Sequence, residues 1–192
     1  MGAVTMETYT PKTFTFDIPI RAKAVQSTRF ARGHSFVDAK TKKWKKAVGD
    51  CIKLHAPDVP SELPFEVVEA VYTFKLPQSL TKKARARIEE AWSRGEDVAY
   101  ISTPDLDSNI NKGLSDLLTD MGVWADDRRM WRVAKDAVIK KVYGKVDSIR
   151  ITVRETPFVL LSNGKTALEH FYGPTCTTCV SHVYRYTGPL GA

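Results

Sequence analysis

An α/β fold, one domain with a mixed β-sheet covered by helices, is predicted by three observations. Three stretches alternate apolar and polar residues with period two, two others carry apolar stripes at helical spacing, and the two kinds interleave along the chain. With 192 residues, 43% of them hydrophobic, the chain can bury one good core. No internal repeat or low-complexity tract divides it.

After an N-terminal arm (residues 1–13), Phe14, Phe16, Ile18 and Ile20 alternate as the buried face of a first strand. A loop, RAKAVQSTRFARGHSF, leads into a helix whose Trp44, Ala47, Val48, Cys51 and Ile52 form its buried stripe. Val68, Ala70, Tyr72, Phe74 and Leu76 mark a second strand, and Thr81 to Arg94 a second helix. A short strand is expected before Pro104. The third helix is read from Ile110, Leu114, Leu117, Leu118 and Met121, with Asn109, Lys112 and Asp116 on its other side. Asp107 or Ser108 can cap its start, and Gly122 suits its stop. Two further strands follow, Met130 to Tyr143 and Ser148 to Arg154, with Gly144 at the turn between them. Residues 156–192 form a C-terminal extension.

The third helix is flanked by acid. PDLDSNINKGLSDLLTDMGVWADD, from Pro104 to Asp127, places Asp105 and Asp107 just before it and Asp126 and Asp127 just after it. Carboxylate oxygens in such a cluster suit Mg²⁺, which is usually held by a few acidic side chains plus the oxygens of a phosphate substrate. A helix of this length carries the chain roughly 20 Å at ~1.5 Å per residue. Asp127 can therefore meet Asp105 and Asp107 only if Val123, Trp124 and the turn after them double back. The plain alternative is that the four acids only cap a helix and occupy a turn.

Net charge is +7, and it is concentrated. Ten basic residues against two acidic ones between Arg21 and Lys53 leave the remainder of the chain about neutral. A charged helix face is often only a solvated face. Beside an acidic cluster suited to phosphate chemistry, a surface for the DNA backbone explains it better, because each neutralised phosphate releases counterions. Lys23, Arg29 and Arg32 on the loop are the first candidates, followed by Lys42, Lys43 and Lys46 on the helix. The basic Thr81 to Arg94 helix is diluted by Glu89, Glu90 and Glu96.

No apolar run approaches the roughly 20 residues of a membrane span. The opening MGAVTMETYTPK lacks the order of a signal peptide, and Cys51, Cys176 and Cys179 make no disulfide framework. A reducing, cytoplasmic location is expected. His170, Cys176, Cys179 and His182 fall within thirteen residues and include a CxxC pair, so a Zn²⁺ site is one reading of the extension. A plain terminal extension, or a strand packed on the domain, is the other. Its aromatic residues can also stack on unpaired bases.

The acidic segment resembles the RusA-type Holliday junction resolvases, in which PDxDN precedes a lysine, an amphipathic helix, a GVxxDD turn and a strand. Pro104, Asp105, Leu106, Asp107, Asn109 and Lys112 match the first part, and Gly122, Val123, Asp126 and Asp127 the second. The resemblance covers roughly residues 14 to 155. Ser108 is an extra residue between the second Asp and the Asn, which shifts Lys112 by one position. The resemblance implies that Asp105, Asp107 and Asp127 hold Mg²⁺, that Lys112 is the catalytic lysine, and that Asp126 is an additional or supporting group. It further implies a homodimer that resolves a four-way junction by paired symmetric nicks. A noncatalytic, structure-selective DNA-binding protein on the same fold is the alternative. A phosphatase with Asp105 or Asp107 as nucleophile is disfavoured, because ISTP before the pair is not the apolar strand end that chemistry uses.

Overall fold

The computed structural model describes residues 9–23, 29–31, 34–36, 38–104 and 112–172, with side chains for all of these except 29–31, 34–36, 112 and 113. The strands are β1 (Thr13–Ile18), β2 (Arg29–Ala31), β3 (His34–Phe36), β4 (Phe65–Lys75), β5 (Met130–Gly144) and β6 (Ser148–Glu155). The helices are α1 (Ala39–Lys53), α2 (Lys82–Ser93), α3 (Lys112–Asp120) and α4 (Ala167–Tyr172). A mixed four-stranded sheet runs in the order β1-β6-β4-β5, antiparallel except for the β4–β5 pair.

Strand phase follows from the alternation. Phe16 and Ile18 pair with Ile151 and Ile149 and point into the core, while Thr15 and Asp17 stay exposed. The same core takes Trp44, Val48 and Ile52 from α1 and Leu114, Leu117 and Leu118 from α3. Both helices therefore cover one face of the sheet. The opposite face of β1 and β6 is polar, with Arg150 donating to Asp17 and Thr15 bonded to Thr152. One phase differs from the sequence pattern. An irregularity between Val67 and Glu69 adds a residue to β4, so Val67 packs on the core in place of Val68.

Two features were not visible in the pattern. The basic segment read as a loop contains a small antiparallel hairpin, β2 with β3, whose three-residue strands are too short for period two to register. β5 and β6, consecutive in sequence, do not pair with each other, because β4 lies between them. Their connection crosses the end of β4, where Leu76 N donates to Gly144 O and Lys75 N to Asp147 Oδ1, at 3.4 and 2.9 Å. Gly144 is required there, since a Cβ would lie 2.3 Å from Thr73 Cγ2.

Residues 156–172, beyond β6, stay on the body. Ala167, Leu168 and Tyr172 of α4 form a second cluster with Tyr9 and Leu63. Buried Glu155 ties this region together by accepting from Tyr9 Oη, Lys12 N and Ser61 Oγ at 2.6, 2.9 and 2.8 Å. No helix among the described residues is long and apolar enough to cross a membrane.

A second buried carboxylate gives a stability test. Glu66 accepts from Arg132 Nε at 2.7 Å and from Arg154 Nε and Nη2 at 2.8 and 2.5 Å. Burial alone would raise its pKa, but hydrogen bonds and charge from Arg154 and Arg132 outweigh burial and lower it. A lowered carboxylate contributes stability above its unfolded pKa that is lost as pH falls through the folded one. Glu66→Gln should therefore cost about 2 kcal/mol at neutral pH, less than for a fully buried pair because both arginines are half-exposed. That difference should shrink in acid, as urea unfolding at pH 7 and pH 3 can measure.

Candidate active site around the acidic segment

The turn after α3 explains how Asp127 is placed. Gly122 adopts φ +74°, Val123 N donates to Leu118 O and Gly122 N to Thr119 O, both at 3.0 Å. This pairing closes a helix on a left-handed residue and leaves an apolar contact between the flanking side chains, here Val123 and Leu118. The chain then turns back. Trp124 is fully buried, its ring 5.0 Å from Phe65, with Nε1 donating to Thr119 Oγ1 at 2.8 Å. Ser61 clamps the returning backbone, taking Ala125 N at 3.1 Å and donating to Val123 O at 3.2 Å.

A single 3-10 turn (Asp127–Arg129) follows and feeds directly into β5. The two acids differ there. Asp126 caps the turn, accepting from Arg128 N, and both of its oxygens take the Arg128 guanidinium. The Arg128 hydrogen bonds hold its carboxyl far below the usual range. Asp127 is exposed, and among the described residues no basic group lies within ion-pair distance of it. Of the pair, Asp127 has the carboxylate available to a cation.

On the other side of α3, the chain approaches Asp105 as an extended segment that makes one bridge to the end of β5, where a short strand was expected. Ala99 bridges Val142, Tyr143 N donates to Val98 O at 2.8 Å, and Tyr100 N to Lys141 O at 3.0 Å. Lys141 Nζ donates to Ser102 O and Pro104 O, at 2.9 and 2.8 Å, so one ammonium gathers the backbone immediately before Asp105. Tyr100 assists, stacking on Phe74 at 3.9 Å and donating its hydroxyl to Thr103 O. Sequence reasoning missed Lys141. Its signal was a lysine in phase with Ile139 and Tyr143, where the alternation calls for an apolar residue.

Asp105, Asp107, Asn109 and the Lys112 side chain lie outside the described residues; the backbone of Lys112 begins α3. The donor set nevertheless suits a hard cation, being all carboxylate and including an exposed Asp127 beside an Asp126 already neutralised by arginine. Of the basic candidates, Lys42, Lys43 and Lys46 are exposed on α1, Lys46 pairing with Asp50. Lys23 donates to Thr41 Oγ1 at 2.8 Å and lies 3.7 Å from Asp38, at the cap of α1. The Arg29 side chain and all of Arg32 fall outside the described residues. So do Cys176, Cys179 and His182. His170 is described, on α4, with Nδ1 3.0 Å from Asn163 Nδ2, and no cluster of metal-ligating side chains occurs among the described residues.

No individually curated protein matches the chain. The family model described as endodeoxyribonuclease RusA matches residues 17–154, from β1 to the end of β6, with the whole acidic segment inside it. A match of that extent, over a mixed sheet that presents Asp127 at the head of β5, makes the chain a member of the RusA endodeoxyribonuclease family, whose members resolve Holliday junctions.

Proposed function

We propose that the protein is a Mg²⁺-dependent endonuclease that cuts branched DNA, resolving four-way junctions by paired symmetric nicks. The exposed carboxylate of Asp127, delivered by the turn after α3 within the family match, is the observation that carries this reading. Asp105, Asp107 and Asp127 would hold the cation. When bound, Mg²⁺ acidifies water and neutralises charge on the phosphate oxygens. Lys112 adds a positive charge toward the same phosphate, an interaction that strengthens as negative charge develops in the transition state. Arg128 pairs with Asp126 and so would limit the negative charge facing the DNA.

The basic segment from Arg21 to Lys53 supplies the backbone contacts, through Lys23, Arg29, Arg32, Lys42, Lys43 and Lys46. Arg29→Ala or Arg32→Ala should weaken binding equally across sequences and lower the log-salt slope by about one per lost phosphate contact. Unchanged slope would return this segment to a solvated surface. A junction has two-fold symmetry, and a C₂ homodimer with one site per subunit matches it. Incubation with four-way junctions, flaps, forks and plain duplex, with Mg²⁺ and with chelator, tests the proposal. Metal-dependent paired nicks in the junction are expected; binding without cutting in any metal would favour the noncatalytic reading.

A further inference from the structure

A cavity of about 420 Å³ lies between the turn that carries Asp127 and helix α4. Its volume falls within the range of small-molecule pockets, roughly 300–1,000 Å³. Trp131 and Phe171 are its aromatic walls, and Arg128, Arg129, Asn163 and His170 its polar ones. The rings are held from outside. Arg132 sits over Trp131 at 4.6 Å and Arg129 over Phe171 at 4.2 Å, while Trp131 Nε1 donates to Thr156 Oγ1 at 2.8 Å. Arg129 is itself anchored on Glu62 at 3.2 Å.

The Trp131 ring is held yet open, while Phe171 is partly buried. Trp131 is 45% exposed and neighbouring Leu160 71%, an apolar surface that marks an interaction site. Arginine beside exposed aromatic rings is the combination with which proteins stack on single-stranded bases. The place is also informative, since Arg128 and Arg129 follow Asp127 directly and Trp131 is two residues further on.

We propose that this pocket receives an unstacked nucleobase of the DNA strand beside the phosphate that is cut. The proposal rests on the endonuclease reading above and extends it to the choice of cutting position. At a branch point stacking is already interrupted, so turning one base outward costs least there. A base held against Trp131 would fix the register of its neighbouring phosphate relative to Asp127. Stacking tolerates any base, and the His170 and Asn163 edge supplies hydrogen-bonding groups that can favour some over others.

The test compares wild type, Trp131→Ala and Trp131→Phe in metal-free buffer against a four-way junction, a fully paired duplex and a single-stranded oligonucleotide containing 2-aminopurine. Trp131→Ala should bind the junction and the oligonucleotide about tenfold more weakly, and should lose the fluorescence change on binding the oligonucleotide. Duplex affinity should not change. Trp131→Phe keeps a ring but loses the bond to Thr156, and should stay within about twofold of wild type. Equal affinity of the alanine variant for junction and oligonucleotide would overturn the proposal. So would a phenylalanine variant as weak as the alanine one, which would make the indole a structural tie. If wild type cuts no branched DNA, the endonuclease reading fails by itself, and the oligonucleotide comparison still decides the pocket.

Discussion

Lys141→Met is expected to cut a four-way junction about a hundredfold more slowly than wild type while keeping the fold and the junction affinity. Its ammonium donates to two carbonyls, Ser102 O and Pro104 O, and lies 5.5 Å from the centre of the Tyr100 ring. Methionine keeps the apolar stem but removes both bonds, so Ser102 to Pro104, just before Asp105, lose their side-chain tie to β5 while the backbone bonds of Val98 and Tyr100 remain. Displacing catalytic groups by about 1 Å can cost on the order of a hundredfold in rate, which sets the expected size. Single-turnover cleavage, read beside a thermal melt and a binding isotherm, measures it. Arginine at 141 should recover part of the rate, because it can still donate to carbonyl oxygens. Wild-type cutting by the methionine variant would mean that the Asp105 segment is held by other contacts.

Much of this architecture was legible in the chain. The phase of β1 and β6, the buried stripes of α1 and α3, and the stop at Gly122 follow from local periodicity and from the one residue type that accepts a left-handed backbone readily. That the chain must double back after α3 for Asp127 to approach the start of the helix was legible as a condition, and the burial of Trp124 against Phe65 is how the fold turns the chain there. Sheet order was not legible. Alternation fixes which face of a strand is buried but says nothing about which strand lies beside it, so the insertion of β4 between β5 and β6 left no local mark. The different surroundings of Asp126 and Asp127 were equally hidden. They depend on Arg128 folding back onto Asp126, and adjacent carboxylates look alike in sequence. Lys141 left a trace, a cation in an apolar phase, whose meaning needed the neighbouring backbone.

The second large effect belongs to the carboxylates. Asparagine keeps the shape of aspartate but removes the charge that holds a divalent cation, so Asp105→Asn, Asp107→Asn and Asp127→Asn should each cut at least about a hundredfold more slowly. Junction binding should persist or tighten, since each change also removes a negative charge facing the phosphates. Asp126→Asn separates this account from a general effect of acidity in the segment. Its carboxyl is committed to Arg128, so its loss should disturb the turn without removing a cation ligand, and cutting should fall much less.

The most direct measurement is therefore single-turnover cleavage of one fixed four-way junction in Mg²⁺ by wild type and these four variants, with junction affinity measured in parallel without metal. The account predicts tight binding by all five proteins, collapse of cutting in the Asp105, Asp107 and Asp127 variants, and substantial cutting by the Asp126 variant. Normal cutting by the first three, with binding intact, would contradict it and return these aspartates to the role of caps and turn residues.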